Sequence, residues 1–267
     1  MSAQAPCSPR VAVVTPFCNE PPDWLAQAQR SIAAQTYPCD HIMVGDAASV
    51  VPPLPATVVN LPTCVADFGD TPRAVGSFYA VGLGYDAIAY LDADNWFDPD
   101  HIASLVTLHL QTTAAVVTSR RAFVRIDGTY MAECTASDGD NFSDTNCLFI
   151  TRAAFAVLST WVLMDRAFHA IDDRVIWHAI KQQGYALAHT GRASVAYRAR
   201  LPNFYTDLGE TPPLEVKAQQ VEAIMAALTA WEAAGNAPLR MRWGYRRYAA
   251  PNRIREINFG DAADAPH

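Results

Sequence analysis

Short apolar runs alternate with helix-like segments through the first half of the 267-residue chain, and this alternation limits the fold more than any other feature. The apolar runs occupy residues 11–17, 41–46, 56–61 and 87–92 and have the composition of buried strands. Strands that are apolar throughout and are joined by helices favour a parallel sheet covered on both faces. We therefore predict an α/β fold whose ligand binds at the carboxyl ends of the strands.

Capping residues predict where three helices of this half begin. Asp23 is the expected N-cap of the helix after the first strand. Thr71 precedes Pro72, and Asp98 precedes Pro99, so each pair combines an N-cap with a proline in the first helical position.

The second half has a mixed pattern, with strand-like runs grouped between helical segments. Its expected elements are two strands within 114–134 joined near Asp127-Gly128, an apolar strand at 147–150, helices from Arg152 and over 171–184, short strands at 185–189 and 193–197, and an amphipathic helix after Pro213. No linker separates independent domains. We expect one domain over 1–267, with a nucleotide-binding half at about 10–110, an acceptor half at about 111–235 and an extension at 236–267.

Composition excludes several classes of function. The net charge of −7 provides no basic face for nucleic acid. No apolar stretch reaches the ~20 residues of a membrane-spanning helix, and no signal peptide is evident, so we expect a cytoplasmic protein. Six scattered cysteines without a C-x-x-C pair indicate neither a zinc site nor a disulfide framework. Lys181 and Lys217 are the only lysines, which weakens any Schiff-base chemistry.

The segment 240–255 differs from the acidic remainder because it carries six arginines interleaved with aromatic residues. One interpretation is an extension that forms salt bridges with an acidic body. The alternative is a surface for peripheral membrane contact through anionic lipid, or for a phosphorylated acceptor.

The strand at 87–92 runs into a cluster of carboxylates, Asp92, Asp94, Asp98 and Asp100, with no lysine or arginine among them. Residues two apart in an extended chain project to the same side, so the first two can address one cation. Mn²⁺ and Mg²⁺ suit such oxygen ligands together with a diphosphate, although a D-x-D in a solvated turn is the plain alternative. We assign the last two aspartates to the start of the next helix.

Other sites for metal or phosphate fit the sequence poorly. A calcium loop requires glycine at its sixth position, where this segment has Phe97 and its neighbour Trp96. A phosphatase of the haloacid dehalogenase type expects Thr or Val two residues after the second aspartate. No P-loop, dinucleotide-binding glycine motif or hydrolase nucleophile elbow is present.

Taken in order, the segments VAVVTPFCNE, VGDA, RAVGSFYAVGLGYDAIAYLDADNWF, DTNCLFITRAAF and IDDRVIWHAI resemble the family 2 glycosyltransferases over residues 11–200. The resemblance implies the GT-A fold: a mostly parallel, Rossmann-like central sheet flanked by helices, with a smaller mixed sheet on the acceptor side. It also implies an inverting, metal-dependent transfer from a nucleotide-diphosphate sugar to a hydroxyl acceptor, with Mn²⁺ or Mg²⁺ as cofactor.

The resemblance assigns roles to individual positions. Those expected to bind the donor nucleotide are Thr15, Pro16, Phe17 and Glu20 at the nucleoside, Asp46 at the base, Arg73 near the donor and Asp92 at ribose or metal. Arg73 could pair with phosphate or hold Asp92 in place. Asp94 is the expected direct metal ligand, and His189 follows a strand where some relatives supply a third. A carboxylate suits the imide N–H of uracil, which favours UDP, although thymine offers the same group. A turn aspartate, an exposed helix arginine and a packed histidine are the structural alternatives.

Asp172 and Asp173 match the family's acidic pair at the start of a helix beneath the acceptor site. Asp173 is the expected general base and Asp172 its orienting neighbour, whereas two acids that only favour the helix dipole are the structural alternative. The polar loop 138–146 matches the region that meets donor sugar and acceptor.

Two functions of other classes remain open. A sugar nucleotidyltransferase has a similar layout but usually begins with a glycine-rich loop, and TPFCNEPPD contains no glycine. A non-catalytic sugar-nucleotide-binding module would have the strands without the need for these carboxylates. The acceptor could be a saccharide, a lipid-linked saccharide, a protein or a small molecule.

Overall fold

The computed structural model describes residues 8–216 and, beyond them, Ala223, Ala226, Thr229, Ala230 and Ala233. The segment 240–255, and most of the helix predicted after Pro213, lie outside the described residues.

Nine strands form one sheet within the described part of the chain. They are β1 (Val11–Phe17), β2 (Cys39–Gly45), β3 (Thr57–Asn60), β4 (Ala87–Tyr90), β5 (Trp96–Phe97), β6 (Val116–Val124), β7 (Tyr130–Glu133), β8 (Leu148–Thr151) and β9 (Leu187–Arg198). Their spatial order is β3-β2-β1-β4-β8-β6-β9-β5, and β7 pairs with β6 beside this path.

The first half of the sheet is parallel and the second half is mixed. β1 pairs in parallel with β2 and β4, and β2 with β3. β8 is antiparallel to both of its neighbours, and β6 and β7 form the predicted hairpin. The α/β architecture predicted from the sequence is therefore confirmed. The mixed strands continue the same sheet, because β8 pairs with β4 on one side and β6 on the other.

Helices cover both faces of this sheet. They are α1 (Pro22–Ala33), α2 (Asp70–Gly82), α3 (His101–Thr112), α4 (Thr160–Leu163), α5 (Asp172–Gln182) and α6 (Pro202–Thr206). Alternate residues of β1 enter opposite cores: Ala12 and Val14 pack with the side of α2, α4 and α5, whereas Val11 and Val13 pack with that of α1 and α3. The uninterrupted apolar runs of the sequence follow from this burial on both faces.

Gly76 allows α2 to approach the sheet closely. A Cβ atom at this position would lie 2.5 Å from Cγ1 of Val14 and 3.1 Å from Cγ2 of Val44. The absence of a side chain therefore sets the separation between α2 and the first two strands, and so the position of the helix start at the edge of the sheet.

All three predicted N-caps are wrong by two residues, since the N-caps are Pro21, Gly69 and Asp100 rather than Asp23, Thr71 and Asp98. α1 begins at Pro22, so Asp23 lies in its first turn, and α3 begins at His101 rather than near Asp98. α2 begins at Asp70, one residue before Thr71. The Thr71 hydroxyl instead donates to Asp67, whose carboxylate also accepts the Thr71 N–H. The carboxylate that accepts from the first turn of α2 thus belongs to Asp67, which lies before the helix.

Two further elements differ from the sequence prediction. The two short strands expected at 185–189 and 193–197 form one strand, β9, in which Gly191 has φ of +69°. The helix expected from Arg152 begins as a 3₁₀ helix, Arg152–Ser159, before α4.

Among the described residues, no single helix combines the length and apolar content needed to cross a membrane. The segments Arg152–Leu163 and Arg166–Gln182 meet that requirement only as a pair, and they are bent by 118°.

Candidate functional site

A cavity of about 500 Å³, termed the first cavity, opens at the carboxyl ends of β1, β2 and β4. Its walls come from the loop after β1, from Asp46, from the loop 64–69, from the start of α2, from Asp92 and Asp94, from 169–172, and from 197–201. The site therefore lies where an open parallel sheet usually binds its ligand.

Arg73 joins three acidic segments at the base of this cavity. Its guanidinium donates to Asp92 Oδ1 at 2.7 Å and to Asp172 Oδ2 at 2.7 Å, and lies 3.3 Å from Asp70 Oδ1. Burial alone would lower the pKa of Arg73, but the three carboxylates together raise it above its ordinary value. The predicted role of holding Asp92 in place is the one that this geometry supports.

Asn146 fixes the other side of Asp92. Its side-chain oxygen accepts the Asp92 N–H at 2.6 Å, while its side-chain nitrogen donates to Asp92 Oδ2 and Asp144 Oδ1, each at 2.8 Å. Asp144 forms a buried ion pair with Arg121. This is how the predicted loop 138–146 reaches the site: its last residues support the cavity wall without lining the cavity.

Two arginines that the sequence analysis did not single out complete the cavity. Arg200 contacts Asp94 Oδ2 at 2.8 Å, and Arg198 donates from Nε to the Asp94 carbonyl at 3.0 Å. Both guanidinium groups also lie over the Trp24 ring. The aspartate cluster itself contains no basic residue, and these two arginines at the end of β9 supply positive charge to it. Their spacing of two in the sequence RAR was the only local pattern that could have indicated them.

Asp46 lies at the nucleoside end of the cavity and already makes backbone contacts. Its two carboxylate oxygens accept the N–H groups of Val65 and Ala66 at 2.7 and 2.9 Å. These bonds fasten the loop 64–69, in which Ala66 and Phe68 have left-handed φ values of +56° and +61°. Oδ2 also accepts from the Cys64 thiol at 3.4 Å, so the second lone pair of Oδ1 is the one that can still accept from a nucleobase.

Other predicted nucleoside residues have mixed positions. Pro16, Phe17 and Glu20 line the first cavity. Glu20 Oε2 also accepts the Cys18 N–H at 2.7 Å, which orders the loop after β1. Thr15 is fully buried and its hydroxyl lies 2.9 Å from His41 Nε2 on β2, so it belongs to the sheet and not to the site.

Asp172 and Asp173 have different surroundings at the start of α5. Asp172 lines the cavity, and both of its oxygens are used, by Arg73 and by the Asp173 N–H. Burial, with Asp70 close by, raises the pKa of Asp172. Asp173 does not line the cavity; its Oδ1 accepts from Arg174, while Oδ2 has no hydrogen bond within the described chain.

His169 and Asp70 form a further pair beside this network. His169 Nδ1 lies 2.6 Å from Asp70 Oδ2, and the imidazole lines the cavity. Asp70 is 0% exposed, and burial raises its pKa to about 7. The sequence analysis overlooked both residues, since neither stands in a recognised motif.

His189 is not brought to this cavity. Its Nδ1 lies 2.8 Å from the Thr118 hydroxyl, and burial lowers its pKa. On β9 it pairs with Thr118 whereas Arg198 pairs with Val124, and these six positions of β6 correspond to roughly 20 Å at the usual rise of a strand. The structure therefore separates His189 from Asp92 and Asp94.

The described residues contain no group of three His, Cys, Asp or Glu side chains arranged to hold a metal ion. Asp92 and Asp94 offer two hard carboxylates on one wall of the cavity. Such a set fits a magnesium or manganese ion only if a bound diphosphate supplies further oxygen ligands.

No protein-family model matches the sequence, and no curated protein does. Solved structures of S. aureus TarS are similar in fold. The 1–349 fragment in complex with UDP aligns with a TM-score of 0.55 and 12% identity over 74% of this chain and 63% of that one. Its complex with UDP-GlcNAc gives 0.53 and 12% over 72% and 59%. A longer TarS structure gives 0.54 and 12%, and this chain covers only 38% of it.

The chain thus spans less than two thirds of each of these TarS structures. TarS is a glycosyltransferase of GT-A fold, and the shared sheet and flanking helices extend over about three quarters of the present chain. The chain has the GT-A fold.

Proposed function

We propose that this chain is a family 2 glycosyltransferase that moves a sugar, with inversion, from a nucleotide-diphosphate donor to a hydroxyl acceptor. The observation that carries the proposal is the Arg73 network, which brings Asp92 of the D-x-D motif and Asp172 of the acidic pair to one cavity. The segments proposed to bind the donor and to catalyse transfer lie far apart in sequence but line one cavity, which supports the proposal. The UDP and UDP-GlcNAc complexes of TarS support a nucleotide-sugar donor.

The nucleoside would occupy the end of the cavity that contains Asp46, Phe17 and Pro16. Asp46 would accept the imide N–H of uracil, which favours UDP as the donor nucleotide. Pro16 and Phe17 provide apolar surface for the base.

The diphosphate would lie between the aspartates of the D-x-D and the arginines of β9. Arg198 and Arg200 line the same cavity as Asp92 and Asp94 and suit bidentate contacts to phosphate oxygens. Asp94, with Asp92, would hold Mn²⁺ or Mg²⁺ beside the diphosphate. When bound, the cation supplies Lewis-acid stabilisation of the negative charge on the departing β-phosphate.

Asp173 is the proposed general base. During transfer, the acceptor oxygen bonds to the anomeric carbon, the bond from that carbon to the β-phosphate oxygen breaks, and the hydroxyl proton moves to the base. Asp173 Oδ2 has no partner among the described residues, whereas both oxygens of Asp172 are occupied. Asp172 would orient the start of α5 through Arg73.

A panel of nucleotide sugars tests the proposal in two steps. UDP-glucose, UDP-galactose, UDP-GlcNAc, GDP-mannose and dTDP-glucose are added with and without Mn²⁺, and thermal stability and donor hydrolysis are measured. A bound donor at ~100 times its dissociation constant stabilises the fold by about 2.7 kcal/mol. We expect UDP-sugars to stabilise the protein with Mn²⁺ and to be hydrolysed slowly. A flat panel would overturn donor binding, and binding without any turnover would indicate a non-catalytic module.

A further inference from the structure

The two arginines at the end of β9, Arg198 and Arg200, are held at the cavity in different ways. Arg198 is 4% exposed, and its guanidinium donates to the carbonyl oxygens of Asp94 and Ile126 and to the side-chain oxygen of Gln27. These three partners belong to three separate segments of the chain. Arg198 is therefore a fixed part of the cavity wall.

Arg200 has a single hydrogen-bond partner within the part of the chain that the structure describes. Its Nη1 lies 2.8 Å from Asp94 Oδ2, and its guanidinium carbon lies 5.1 Å from the centre of the Trp24 ring. The side chain is 26% exposed and lines the first cavity. Because a guanidinium has five N–H donors, Arg200 retains donors for a ligand and can leave Asp94 without breaking another hydrogen bond.

Arg73, the third arginine that lines the first cavity, cannot change partner in this way. It is 5% exposed and contacts the carboxylates of Asp70, Asp92 and Asp172. Moving it would leave several carboxylates without their counter-charge, which is strongly destabilising at a buried site. Among the three arginines of this cavity, Arg200 is thus the one that is free to change partner.

Arg200 occupies a carboxylate oxygen that a divalent cation would need. The proposed cation site has only the carboxylates of Asp92 and Asp94 from the protein, and Asp92 already accepts from Arg73 and Asn146. Asp94 Oδ2 is in contact with Arg200. A cation that approached this oxygen would meet the guanidinium charge at close range, where repulsion between like charges is strong.

We propose that Arg200 excludes the divalent cation from Asp94 until a diphosphate binds, and that its guanidinium then moves from the carboxylate to the phosphate oxygens. Phosphate oxygens suit a guanidinium as well as a carboxylate does, so Arg200 keeps a charged partner in both states. Nucleotide and cation therefore bind strongly together and weakly apart. The inference rests on the proposed function and adds to it the coupling between the two ligands. Trp24 is a positioning residue, because its ring supports the guanidinium from one side.

Manganese binding without nucleotide tests the exclusion. Free Mn²⁺ is measured by electron paramagnetic resonance in titrations of the parent and of Arg200→Gln, which removes the charge and keeps a polar side chain. We expect the variant to bind Mn²⁺ about tenfold more tightly than the parent, a typical coupling between two competing groups. Arg192→Gln is the matched control, since Arg192 pairs with Asp100 outside the first cavity, and it should bind Mn²⁺ as the parent does. Equal affinities in the parent and Arg200→Gln, including no detectable binding to either, would overturn the proposal.

A conservative variant separates the effect of charge from that of packing. Arg200→Lys retains a positive charge that can pair with Asp94, so it should bind Mn²⁺ without nucleotide as weakly as the parent does. If Arg200→Lys bound Mn²⁺ as tightly as Arg200→Gln, the loss of packing against Trp24 would be the cause and the proposal would fail. Thermal unfolding shows whether each variant is folded.

The parent protein provides a measurement that depends on no variant. UDP should raise its Mn²⁺ affinity by about tenfold or more, after correction for the Mn²⁺ that UDP binds in solution, and Mn²⁺ should raise its UDP affinity by the same factor. Equal Mn²⁺ affinities with and without UDP, in a parent that binds UDP, would overturn the proposal. Absence of UDP binding would instead contradict the proposed function, whereas the comparison without nucleotide would still decide whether Arg200 excludes the cation.

Discussion

Arginines from distant parts of the chain balance the carboxylates at the first cavity. Arg73 forms ion pairs with Asp92 and Asp172, and Arg200 forms one with Asp94. A buried carboxylate that loses its partner retains the full cost of its desolvation. Substitutions here should therefore change both electrostatics and ligand binding, and the two effects must be measured separately.

Asp94→Ala should abolish the Mn²⁺ dependence of UDP binding and leave the protein folded, because it removes the proposed hard ligand. Calorimetric titration of UDP with and without Mn²⁺ measures this. Asp100→Ala is the matched control: it removes another aspartate of the same cluster, whose partner is Arg192 outside the first cavity. If Asp94→Ala bound UDP with the parent's Mn²⁺ dependence, the assignment of Asp94 would be wrong.

Asp173→Asn should reduce transfer by about 10²–10⁴, the usual contribution of a general base, with donor affinity nearly unchanged. Asp172→Asn should behave differently, because it weakens the contact with Arg73 and lowers the free energy of unfolding by about 1–3 kcal/mol. Single-turnover rates, UDP affinity and urea unfolding of the two variants separate these roles. Near-parental transfer by Asp173→Asn would shift the base assignment to Asp172.

Sequence order predicted several site residues, since Asp46, Asp92 and Asp94 stand at strand ends and the structure brings them to one cavity with Asp172. Arg198, Arg200 and Asp67 were not predicted, and Asn146 was predicted only as the last residue of the polar loop 138–146. Their roles depend on tertiary contacts, such as Arg198 reaching the Asp94 carbonyl from 104 positions away, and no local pattern encodes such a meeting.

At the level of elements, continuous apolar runs predicted the four parallel strands, because burial on both faces leaves a strong signal. Helix starts were less predictable. The α2 start depends on Asp67, whose carboxylate accepts from Thr71 four residues later, and on Gly69 with φ of +94°. Because the side chain that caps α2 lies outside the helix, the local Thr71-Pro72 motif predicts the wrong first residue.

The contact between α2 and the sheet gives a prediction at this scale. Gly76→Ala should lower the free energy of unfolding by about 1–3 kcal/mol, as overpacked core substitutions do, because its Cβ would meet Val14 at 2.5 Å. Gly82→Ala, at the end of the same helix with nothing within 4 Å, should be neutral or stabilising by up to about 1 kcal/mol. Urea unfolding compares the pair, and equal effects would show that α2 does not pack this closely.

For the whole molecule, buried neutral histidines make stability depend on pH. Burial lowers the pKa of His41 and of His101 to about 3 from an ordinary value of 6.5. The unfolded chain therefore binds protons at these sites before the folded one does. Their contribution to stability is present above about pH 6.5 and is lost as the pH falls toward 3.

Acidification from pH 7 to 5 should cost up to about 2 kcal/mol for each such histidine. His101→Gln, which retains a polar group near the Ser194 hydroxyl, should lose less stability over this range than the parent does. Urea unfolding at pH 5, 6 and 7 measures the difference. The same pH slope in the variant and the parent would contradict a neutral buried His101.

The Arg73 network has a consequence for the order in which the molecule assembles. Arg73 is separated from Asp92 by 19 positions but from Asp172 by 99, and Asp92 from Asn146 by 54. Closing such long loops is entropically costly and contributes to slow folding. An N-terminal fragment ending before β6 would contain the four parallel strands and the D-x-D aspartates, yet Asp92 would lack Asn146 and Arg73 would lack Asp172. A growing chain would therefore complete this site only after α5 had been made and had docked.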